Sequence, residues 1–118
     1  MQAYFPLSTS PNPSTRALIA AWDDPMRTLV RVSRENAGRP VIFTELGYPR
    51  GMRAASQPWT PDTDDSPAAI DLRRRLMEAA LSRLAVEPLV RGVFWWKWLP
   101  GVAPGQSDRS EEHTSELQ

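Results

Sequence analysis

The chain has no cysteine, which excludes a disulfide framework and thiol chemistry and leaves the redox compartment open. Its single histidine, His113, lies in a polar terminal stretch and carries no functional weight. There is no charge excess: 14 basic residues face 14 acidic ones, so nothing points to nucleic acid as a partner. No apolar run approaches the roughly 18 residues of a membrane span, and the first residues show no basic region leading into an apolar core; no membrane partner is expected. A Gly-rich phosphate loop, metal-ligand spacing and an internal repeat are all missing. Nucleotide-binding and metalloenzyme readings therefore have no support, and no cofactor or metal is expected.

Proline and tryptophan are present in excess, at 12 and 5 of 118 residues. Proline punctuates loops and tryptophan offers flat apolar faces, a combination that suits loop-built carbohydrate sites as well as ordinary cores. The most informative stretch is Val41-Ile42-Phe43-Thr44-Glu45-Leu46-Gly47-Tyr48-Pro49. Four β-branched or aromatic residues run into an acid followed at once by Gly47 and Pro49, which reads as a buried strand ending in a carboxylate. Strands of parallel α/β proteins are covered on both faces and open to ligand at their carboxyl ends. Glu45 thus sits where catalysis on such a fold needs an acid, or else it caps a helix or pairs with an arginine.

Around that strand, residues 2–8 read as the closing half of another strand. Residues 16–22 and 26–36 read as helical pieces separated at Asp23-Asp24-Pro25. The second piece points Leu29, Val30 and Val32 toward a core and ends at Gly38, a suitable left-handed residue. Residues 49–66 form a long loop with Trp59 near its middle, and loops of that length are usually functional. Ser66-Pro67 opens a helix whose apolar stripe is Leu72, Leu76, Ala79, Ala80 and Leu84, with its arginines on a solvated face. Residues 90–98 give a further strand. Strand, helix, strand, helix, strand at this spacing implies parallel strands joined by crossovers. Three strands cannot close a barrel, so the chain reads as a piece of something larger.

The motifs Gln-Ala-Tyr-Phe-Pro-Leu-Ser (2–8), Arg-Pro-Val-Ile-Phe-Thr-Glu-Leu-Gly-Tyr (39–48), Gln-Pro-Trp (57–59) and Gly-Val-Phe-Trp-Trp-Lys-Trp (92–98) together resemble the last part of a glycoside hydrolase family 113 barrel. That family comprises β-mannanases and relatives among the retaining (β/α)8-barrel glycosidases. The resemblance implies an α/β fold that is a partial TIM barrel, approximately its last three strands with the intervening helices, over residues 1–106. It implies a hydrolase acting on β-mannan or a related β-linked polysaccharide or oligosaccharide by double displacement. Glu45 matches the nucleophile, and Tyr4 matches the tyrosine that hydrogen-bonds it. Trp96 matches the platform beneath the reacting sugar, with Trp98 nearer the rim and Trp59 lining a more distant subsite. Tyr4 also reads as a half-buried core tyrosine, Trp59 as a loop anchor, and the three strand tryptophans as core.

The general acid/base of such enzymes ends the fourth strand, ahead of everything seen here. The chain alone is therefore expected to be inactive, and unstable or aggregation-prone without the missing N-terminal part of the barrel. Residues 109–118 resemble the in-frame translation of a sequencing-library adapter, so 107–118 is expected to be a disordered, artefactual tail. Two other readings stay open: a carbohydrate-binding pseudoenzyme, and a non-catalytic α/β structural domain.

Overall fold

A computed structural model describes residues 1–95. Their architecture is α/β: strand β1 (Val41–Leu46) pairs in parallel with β2 (Val90–Trp95), and helices α1 (Thr15–Ala21), α2 (Asp23–Glu35) and α3 (Pro67–Leu84) supply the cover. A third extended segment lies on the other edge of β1. Thr44 donates its N–H to the Met1 carbonyl at 2.9 Å and Ala3 donates to the Glu45 carbonyl at 2.8 Å, with Gln2 and Glu45 paired in parallel. The pairing stops there, short of the strand through residue 8 that the sequence suggests. Pro6 has no N–H to offer a ladder, and beyond it Leu7 and Ser8 both donate to the Ala55 carbonyl.

The helices follow from local chemistry. Ala17 donates to Ser14 Oγ at 3.1 Å and Ala69 to Ser66 Oγ at 3.3 Å, capping α1 and α3. Pro67 opens α3 at a position whose N–H would go unbonded in any case. Trp22 ends α1 and starts α2, where Asp23 and Asp24 put negative charge against the positive end of the helix dipole. At the far end of α2, Ala37 and Gly38 both take left-handed backbone, φ 58° and 72°, and Gly38 donates back to the Ser33 carbonyl at 2.7 Å.

Two sequence expectations need correction. Leu29 is fully buried as expected, but Val30 and Val32 are only half-buried, and the next buried position is Ser33, whose hydroxyl donates to the Arg39 carbonyl at 2.9 Å. Nor is the arginine run of α3 a uniformly solvated face. Arg74 is open and pairs with Asp71 and Glu78, but the Arg75 side chain is only 13% exposed. It reaches from Asp71 to the Pro13 carbonyl and Asn12 Oδ1, fastening the turn ahead of α1 onto α3.

One contiguous core joins these elements. Phe43 and Leu46 of β1 are fully buried with Leu18, Trp22, Leu29, Leu72 and Leu76, and Phe5 meets Trp22 edge-on at 5.8 Å. Burying each such side chain contributes about 1.5–3 kcal/mol. The opposite face of the sheet is open: Ile42 is 49% and Phe94 65% exposed.

Candidate active site

The carboxyl end of β1 is irregular in a way that matters. Phe43 faces Val93 and Leu46 faces Trp95, so β1 takes three steps where β2 takes two. The extra residue is a bulge, a device that re-aims side chains at the ends of strands. Phe43 and Leu46 both point into the core across it, which strict alternation forbids, and Glu45 between them stays only partly buried.

Tyr4 and Glu45 come together. The Tyr4 phenol donates to Glu45 Oε2 at 2.8 Å in a partly buried setting. The hydrogen bond is charge-assisted and spans adjacent parallel segments, so it fixes the carboxylate against the neighbouring chain. Burial, then the hydrogen bond to Glu45, then the nearby negative charge all push the phenol above its ordinary value, so it remains a donor through neutral and mildly alkaline pH. The other carboxylate oxygen, Oε1, accepts from Gln2 Nε2 at 3.2 Å.

Sequence reasoning missed Gln2. The available signal was period two: Gln2 and Tyr4 flank Ala3 and therefore share a face of an extended segment, while Ala3 is buried on the other. Among the described residues Glu45 is the only acid carried by a strand. Helix capping does not explain it, since α1 and α3 are capped by Ser14 and Ser66 and α2 has no side-chain cap.

The loop after β1 is packed rather than loose. Leu7 and Ser8 bond it at Ala55, Ala54 and Ala55 are fully buried, Arg50 pairs with Asp65, and residues 50 and 63 form a parallel bridge. Gly51 lies so close to Asp62 that a Cβ there would collide with its carboxylate. On this scaffold Trp59 is 57% exposed. Its indole is thus largely open to solvent, on the loop that leaves the Glu45 end of β1. Tyr48 is buried against Trp95, ring centroids 6.2 Å apart, and its phenol too is pushed up by burial.

On β2, Val93 and Trp95 pack against the core while Phe94 faces away. Trp96 and Trp98, expected on the Phe94 side, lie outside the described residues. Among the described residues no group of three His, Cys, Asp or Glu side chains could hold a metal ion. No family model, curated protein or solved structure matches the chain.

Proposed function

We propose that this chain carries the nucleophile half of a retaining β-glycosidase site, and that its three parallel segments are the last three strands of a (β/α)8 barrel acting on β-mannan or a related polysaccharide. The observation that supports this reading best is the 2.8 Å hydrogen bond from Tyr4 to Glu45 at the carboxyl end of adjacent parallel segments. A nucleophilic carboxylate must be aimed, and a neutral phenol donating to one of its oxygens holds its orientation.

In the first step a lone pair of Glu45 forms a bond to the anomeric carbon. The glycosidic bond breaks, and its electron pair goes to the leaving oxygen, which takes a proton from a general-acid carboxyl about 5–5.5 Å from the nucleophile. In the second step a water oxygen bonds to the anomeric carbon and gives a proton to that second carboxylate. The electron pair of the ester bond returns to Glu45. The second carboxyl belongs to a strand of the barrel other than these three, so the chain alone is expected not to hydrolyse mannan. Trp96, Trp98 and Trp59 are the proposed sugar-stacking surfaces, since an indole offers a rigid apolar plane to the C–H face of a pyranose.

A donor with a fluoride leaving group removes the need for the acid. Incubated with 2-deoxy-2-fluoro-β-mannosyl fluoride, the chain is expected to gain one fluoromannosyl group, mapped by peptide mass spectrometry to Glu45. The Glu45→Gln variant is expected to gain none. An adduct that forms equally in Glu45→Gln, or none on the folded chain, sinks the reading. Sugar-induced quenching of tryptophan fluorescence without any adduct would favour the pseudoenzyme instead.

A further inference from the structure

We propose that Gln2 is a positioning residue for Glu45, holding the oxygen that attacks; this rests on the glycosidase reading above. The two carboxylate oxygens are held unequally. Oε2 accepts from the Tyr4 phenol at 2.8 Å in a partly buried setting, whereas Oε1 accepts from the Gln2 amide at 3.2 Å in an exposed one. A hydrogen bond withdraws charge from the oxygen it engages, and the shorter O–H bond to a carboxylate is the stronger. Oε1 therefore keeps more of the negative charge and faces the side that a ligand can reach. It is the nucleophilic atom, and Oε2 is the anchored one.

Both donors belong to one short segment whose backbone is itself tied to the acid, because Ala3 between them donates its N–H to the Glu45 carbonyl at 2.8 Å. Three hydrogen bonds from consecutive residues, two to the side chain and one to the backbone, set the plane of the carboxylate relative to the neighbouring segment. With Gln2 removed, the carboxylate keeps only its bond to Tyr4 and can swing about it. A neutral amide at the long end of hydrogen-bonding range restrains Oε1 without neutralising it, which a lysine or arginine at the same place would do. When Oε1 bonds to the anomeric carbon its charge is consumed, and the Gln2 amide is released toward the bound sugar.

The test measures the rate and saturation of covalent labelling of the full chain by 2-deoxy-2-fluoro-β-mannosyl fluoride. Gln2→Ala and Gln2→Met are compared with the unsubstituted protein, with circular dichroism to confirm the fold; Met keeps the length of the side chain and loses only the donor. Both variants are expected to label roughly tenfold more slowly at saturation, with the half-saturating donor concentration unchanged. Gln2→Glu is expected to lose at least as much, by placing a like charge beside Oε1. If Gln2→Met labels at the unsubstituted rate, the donor has no positioning role, and the inference fails while the glycosidase reading stands. If the folded, unsubstituted chain does not label at Glu45, both fail together.

Discussion

Tyr4 and Tyr48 are the only tyrosines of the chain, and both phenols are pushed above their ordinary value near 10, Tyr4 first by burial and then by Glu45, Tyr48 by burial alone. The sign of the consequence is fixed by linkage. A raised folded-state value means that the folded chain holds a proton the unfolded chain would release. Stability is therefore full below about pH 10 and is lost as pH climbs past that point. A spectrophotometric titration of tyrosinate reads these two residues alone. It is expected to show almost no ionisation up to about pH 10, then a steep rise coupled to unfolding. Tyr4→Phe should leave one such phenol and slow labelling of Glu45; Tyr48→Phe should leave the labelling rate unchanged. An ordinary, uncoupled titration of both groups would contradict the geometry around Tyr4 and the burial of Tyr48.

Among the elements, α2 carries the clearest local strain. Gly38 suits its left-handed backbone, but Ala37 beside it holds φ 58° with a side chain attached. An L-residue there costs about 1–2 kcal/mol, part of which glycine gives back as unfolded-state entropy. Ala37→Gly is expected to stabilise the chain by about 0.5–1 kcal/mol, and Gly38→Ala to destabilise it by a similar amount, both read from thermal melts. Nothing lies within 4 Å of a Cβ at Gly38, so that loss would be conformational and not steric. The helices were legible wherever a repeating pattern or a cap announces them: the stripe from Leu72 to Leu84 and the Ser66-Pro67 start of α3 stand as read from sequence. Arg75 and Ser33 were not legible, because their partners, the Pro13 and Arg39 carbonyls, are backbone atoms that no side-chain pattern records. The bulge in β1 was hidden for a related reason. Register belongs to a pair of strands, and the residues of β1 alone cannot show that β2 takes one step fewer between Phe43 and Leu46.

For the whole molecule, the uncovered sheet face dominates behaviour in solution. Parallel sheets are ordinarily covered on both sides, yet Ile42 and Phe94 lie open on one. Replacing both with threonine keeps β propensity while removing apolar surface. The double variant is expected to bind less hydrophobic dye and scatter less light at equal concentration, with the circular dichroism spectrum retained. Unchanged scattering would place the sticky surface elsewhere. At this scale the position of the acid was readable, because a β-branched run gives way to Glu45 and Gly47, and the pairing of Tyr4 with Glu45 was expected from the resemblance. Gln2 was not, since an exposed amide fits no hydrophobic period. Its role appears only when residues 1–3 are laid beside β1.

That side-by-side arrangement also sets an order in time. The phenol of Tyr4 and the carboxylate of Glu45 are 41 residues apart in the chain, with α1 and α2 between them. At about 5–20 residues per second, a ribosome delivers the phenol roughly 2–8 s before the acid it will hold. The Tyr4 phenol must therefore wait in water while α1 and α2 are made, and the segment that carries it can dock only when β1 has emerged beside it.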